Sequence, residues 1–134
     1  MKLSEHFTLV ELTVTNCGLS NIPNQNAINS LKLLCEKVLE PARIIYGKPI
    51  KVNSGYRSLS VNKAIGGVQT SQHLKGEAAD IDVGTENHIL FDIIKNNFVF
   101  DQLIWEKGTK QNPEWIHVSY KSSGNRKQIL HLNV

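Results

Sequence analysis

The strongest constraint on the fold is the stretch Ser71 to Asp82, S-Q-H-L-K-G-E-A-A-D-I-D, in which His73 stands seven residues before Asp80. Between them, Gly76 and the small pair Ala78 and Ala79 allow a loop to fold back closely on a strand. A second stretch, Glu114 to Ser119 (E-W-I-H-V-S), supplies His117 with a carboxylate three positions before it. Two imidazoles and one carboxylate form a ligand set found in catalytic zinc sites, where the fourth position is left to water. Glu114 is then a spare carboxylate available as a base.

Strand alternation decides which side such a site occupies. In a strand from Trp115, His117 and Ser119 share one face and Ile116 and Val118 the other; in a strand over 79–83, Asp80 and Asp82 oppose Ile81 and Val83. The ligands therefore face outward and the apolar residues face helices. Strict alternation sends Glu114 away from His117, but Pro113 immediately before it suggests that the strand has not yet begun there, so that a bend could bring the carboxylate round.

The remaining pattern supplies those helices. Thr8 and Glu11 make a capping box for a short helix from Leu9. Ala27, Ile28, Leu31, Leu34, Cys35, Val38 and Leu39 recur at helical spacing, with Pro41 expected to interrupt and Pro41 to Tyr46 to form a second short helix ended by Gly47. Ser58 or Ser60 is expected to cap a helix through Ala64, and Thr85 one carrying Ile89, Leu90, Ile93 and Ile94. Pro49–Asn53, Ala79–Val83, Asp101–Glu106, Trp115–Tyr120 and Gln128–Val134 read as strands. The fold class is α+β: a mostly antiparallel sheet with helices on one face and the metal site on the open face. A chain of 134 residues without repeat or linker fits one domain, residues 1–134.

Composition narrows the function. The net charge of +3 comes from scattered Lys and Arg with no basic run, which argues against nucleic acid as a partner. No window approaches the length of about 18 apolar residues that a membrane span needs. Glu5, His6 and Glu11 break any apolar run at the amino end, so a soluble cytoplasmic product is expected. Cys17 and Cys35 lack C-x-x-C spacing and are expected to stay reduced, Cys35 as a small core residue.

Other polar residues carry weaker signals. His6, His88 and His131 lack a patterned carboxylate partner and read as structural. Glu77 and Asp82 compete with Asp80 for a metal, Glu77 more naturally facing solvent; Glu106 closes the strand D-Q-L-I-W-E without a defined role. Arg57 in S-G-Y-R-S fits an exposed turn when taken alone. Ser71 and Ser119 are hydrogen-bonding candidates for ligands or substrate. Spacing by itself leaves metal binding and ordinary polar roles both open.

Taken together, S-G-Y-R-S at 54–58, S-x-H-x-x-G-x-A-x-D at 71–80 and E-W-I-H-V-S at 114–119 resemble the zinc D-Ala-D-Ala carboxypeptidases, a family of peptidoglycan peptidases on the hedgehog/DD-peptidase fold. The closest resemblance is to compact bacterial and phage wall hydrolases. It implies one zinc ion held by His73, Asp80 and His117, Glu114 as catalytic acid/base, and Arg57 beside the scissile carbonyl as a catalytic and substrate-binding group. The implied partner is a peptidoglycan stem or cross-bridge peptide, cut by a monomer that reaches the wall when released, for example as a phage endolysin. A zinc-binding module of the same fold without activity, and a structural component of a phage particle, are the competing expectations.

Overall fold

Strands with apolar residues at alternate positions bury one face and free the other, and in the computed structural model, which describes all 134 residues, five of them form one sheet. A short hairpin of β1 (Lys2–Ser4) and β2 (Phe7–Thr8), not foreseen from the sequence, precedes them. The five are β3 (Lys51–Ser54), β4 (Ala78–Asp82), β5 (Gln102–Glu106), β6 (Trp115–Ser119) and β7 (Gln128–Leu132), in the order β3-β4-β6-β5-β7. Every pair is antiparallel except β5 with β7. The α+β expectation, with a mostly antiparallel sheet, is met.

Register carries the site. Ser54 pairs with Asp80, Asp80 with His117, and His117 with Ile104, so these residues form one row across four strands. The alternate residues Ile81, Ile116, Val118, Leu103 and Trp105 are buried in a cluster of 21 core residues. Leu90, Phe91 and Ile94 of α5 (Asn87–Asn97) belong to the same cluster, as do Leu31, Leu34, Cys35, Val38, Leu39 and Ala42 of the long amino-terminal helix. Each large apolar side chain buried there contributes roughly 2 kcal/mol, so packing holds the helices where they are.

Three local expectations need correction. Pro41 does not interrupt the long helix: α2 (Gln25–Leu34) continues through a π turn at Cys35–Leu39 into α3 (Glu40–Tyr46). A proline ring clashes with the carbonyl four residues back in a regular helix, and the wider turn immediately upstream, where the Glu40 N–H donates to the Cys35 carbonyl, relieves that crowding. Thr85 is not a cap, because a 3-10 turn over Gly84–Glu86 intervenes and α5 begins at buried Asn87. The Asn87 amide instead accepts from the Val83 N–H at 2.7 Å and donates to Asp82 at 2.9 Å. Gly76 backs onto α2 rather than onto a strand.

Other expectations are met in detail. Thr8 and Glu11 form both bonds of a capping box on α1 (Leu9–Leu12). Between Ser58 and Ser60, it is Ser58 that caps α4 (Leu59–Ala64), accepting from the Val61 N–H at 3.2 Å. Cys17 and Cys35 are free thiols. No helix is long and apolar enough to cross a membrane.

Gly76 ends the 3-10 turn Gln72–Lys75 that carries His73, with φ of 73°, and a Cβ there would meet the Ala27 carbonyl. Gly76→Ala is therefore expected to cost about 2 kcal/mol from left-handed strain and the backbone clash together. Denaturant unfolding checks this; a variant as stable as the parent would mean that the turn and α2 are not tightly apposed.

Candidate metal centre

His73, Asp80 and His117 arrive from a turn and two neighbouring strands, and their nitrogen and oxygen donors all lie within 4.8 Å of one another. His73 Nε2 is 3.4 Å from Asp80 Oδ2, and His117 Nδ1 is 3.0 Å from Asp80 Oδ1. A tetrahedral ion with bonds of about 2.0 to 2.1 Å needs donors roughly 3.3 Å apart, so the residues fit such an ion. The imidazoles meet edge to face with centroids 5.1 Å apart.

The tautomer of His73 is set by its surroundings. Its Nδ1 lies 2.7 Å from the Gly55 carbonyl, which can only accept, so Nδ1 carries the proton and Nε2 presents its lone pair to the site. Burial alone would push the Asp80 carboxyl up, but bonds with His117 and His73 outweigh it and hold the group well below the usual carboxylate range. Asp80 is thus an anion ready to act as a ligand.

Arg57 is not an exposed turn residue. Its Nη2 lies 3.3 Å from Asp80 Oδ2, Nε donates to Ser54 Oγ at 3.1 Å, and Nη1 faces Asn62 Oδ1 at 3.4 Å. The backbone joins in, with the Arg57 N–H donating to the His73 carbonyl at 3.0 Å. Asn62 is itself buried and donates to the Val68 carbonyl, so the guanidinium is held on three sides while part of its donor edge stays uncommitted.

A cleft of about 360 Å³ opens beside His117, walled in part by Ser71, Gln102, Ile104, Glu106 and Arg126. Ser71 sits in this wall, where its hydroxyl also accepts from the His73 N–H at 3.2 Å. Ser119 does not reach it: the residue is fully buried and its hydroxyl accepts from the Gln102 N–H at 3.0 Å, so its place is in the sheet and not against substrate.

Glu114 is exposed and lies outside the cleft wall, in the bend before β6, with its N–H donating to the Glu106 carbonyl. The carboxylate in the wall is Glu106, which pairs with Trp115 and so shares the open face with His117. Burial first, and the charge of Asp80 second, push its carboxyl up, against the opposing pull of His117 and Lys107. Counting alternate residues back along D-Q-L-I-W-E would have placed Glu106 on that face once Ile104 was set opposite His117.

The other residues weighed are structural. His6 pairs with Glu40, His88 with Asn112, and His131 stacks on Trp105 with centroids 5.1 Å apart. Asp82 accepts from the Gly84 N–H and the Asn87 amide, and Gln72 donates to Glu77 at 3.4 Å.

Comparison with known proteins points to a zinc peptidase family. The zinc D-Ala-D-Ala carboxypeptidase of Streptomyces albus G is 35% identical over 57 residues, a stretch amounting to 42% of this chain and 22% of that protein. The aligned stretch is thus about a fifth of that relative's length. The model of the family described as Peptidase M15 matches residues 5–119. Because that match spans most of the chain, the His73, Asp80 and His117 cluster included, this chain belongs to the peptidase M15 family.

Proposed function

We propose that the chain is a zinc-dependent hydrolase of peptide bonds involving D-amino acids in peptidoglycan. The observation that carries this is the three-donor cluster of His73, Asp80 and His117, with Arg57 fixed against Asp80 and with His117 bordering an open cleft that also holds the partly desolvated carboxylate of Glu106. The name of the Streptomyces relative supports both the metal and the substrate class.

When bound by His73, Asp80 and His117, zinc supplies a Lewis acid that polarises a carbonyl and makes water a nucleophile near neutral pH. Glu106 takes the proton of the attacking water and returns it to the leaving amine, a role in which a raised carboxyl pKa is an advantage. Arg57 turns its uncommitted donors toward negative charge developing on the carbonyl oxygen and keeps Asp80 in its ligating orientation. The fixed tautomer of His73 leaves Nε2 free of a proton that would have to be displaced.

Purified protein is to be incubated with whole peptidoglycan and with synthetic stem peptides ending in D-Ala-D-Ala, and the products read by mass spectrometry. Release of terminal D-Ala identifies a D,D-carboxypeptidase, and opened cross-links identify a wall endopeptidase. Either product should disappear with a chelator and return on adding zinc. Zinc-loaded protein that cleaves no wall peptide of any linkage would leave the non-catalytic binding module in its place.

A further inference from the structure

The loop before β7 supplies a cation that neither metal cluster nor Arg57 accounts for. Arg126 lines the cleft with His117 and Glu106, and its side chain is 53% exposed. It is nonetheless held firmly: Nε donates to Asp101 Oδ1 at 3.0 Å and Nη2 to Oδ2 at 2.8 Å, a two-point fork on a carboxylate with no solvent exposure. The Arg126 N–H also donates to Asp101 Oδ1 at 3.1 Å. These bonds from Arg126, chiefly, lower the Asp101 carboxyl to about 2. Lys121 Nζ stands 4.0 Å from the same oxygen, so two cations share one buried anion and the cleft retains positive charge at this end.

Position along the sheet gives that charge a use. Gln102, Ile104 and Glu106 face the cleft in turn along β5, with Ile104 opposite His117. At about 3.4 Å per residue, Glu106 lies roughly 7 Å from the metal row on one side and Gln102 roughly 7 Å on the other. Arg126 belongs to the Gln102 end: the Gln128 N–H bonds the Asp101 carbonyl, and Gln128 pairs with Gln102. The cleft is therefore acidic at one end, cationic at the other, and metal-binding in the middle. Arg57 is not that cationic end, because it lies outside this cleft's wall, held against Asp80, Ser54 and Asn62.

We propose that Arg126, clamped on buried Asp101, is a specificity subsite that binds a carboxylate of the peptide substrate within two residues of the scissile bond. Nη1 of Arg126 makes no bond within the protein and offers two N–H donors to such a group. The subsite rests on the peptidase reading above.

Three acylated peptides sharing one scissile bond test it: one with a free terminal carboxylate, its terminal amide, and an amide carrying an acidic side chain beyond the bond. The zinc-loaded parent should favour at least one carboxylate-bearing peptide over the plain amide by about tenfold or more in kcat/KM, the worth of a charge-assisted pair. Which of the two is favoured identifies a terminal or a side-chain carboxylate. In Arg126→Gln the preference of carboxylate-bearing peptide over plain amide should vanish through a rise in KM for the carboxylate-bearing peptide, with its kcat nearly unchanged. Arg126→Lys, which preserves charge against Asp101, should recover part of the preference. A parent that cleaves all three peptides equally well removes the subsite and leaves the peptidase. Cleavage of none removes both.

Discussion

Glu106→Gln should leave zinc content and thermal stability at the parent's values and slow hydrolysis of wall peptides by about a hundredfold or more, the usual worth of a positioned proton-transfer group. The substitution preserves shape and removes basicity. Glu114→Gln is the matched comparison, because that carboxylate is exposed and outside the cleft; it should hydrolyse the same peptides within about twofold of the parent, as surface substitutions generally do little. The pair of variants separates two assignments that differ by eight positions in the chain and by a strand in space. If Glu114→Gln lost activity and Glu106→Gln kept it, the acid/base would belong to the bend before β6 after all.

Removal of one donor of the proposed metal site has the second large effect. His117→Ala deletes one of three donors and should reduce zinc to well below one equivalent per chain and abolish peptide hydrolysis, with metal analysis and a hydrolysis assay as the two readouts. The fold should survive, because the 21-residue core lies on the opposite face of the sheet and includes neither imidazole. Loss of the helical signal together with zinc would show that the metal is a structural staple. A full equivalent of zinc in the variant would remove His117 from the ligand set.

His73, Asp80 and His117 were legible because a two-residue strand period is robust: the apolar positions Ile81, Ile116 and Val118 dictate which side the polar ones occupy. The same logic placed Ser119 on the open face, yet its hydroxyl is turned into the sheet by the Gln102 N–H, a bond between strands that parity does not report. Glu106 was in view without a role, since the segment 107–114 leaves the register between β5 and β6 undetermined until the chain is folded. Arg126 gave no signal because its meaning depends on Asp101, 25 residues away. The continuity of the long helix through Pro41 escaped for a third reason: helical periodicity assumes a regular turn, and the π turn over Cys35–Leu39 departs from it.

The row that runs from Ser54 through Asp80 and His117 to Ile104 has one more consequence. Sliding β6 by a single residue against β4 would exchange His117 for Ile116 or Val118 and point the imidazole into the helices. The backbone pairing and the ligand set are therefore the same piece of information, written twice. Metal uptake acts as a proofreader of strand alignment: a misthreaded sheet with full secondary structure would still look folded by circular dichroism, and its empty metal site would give it away.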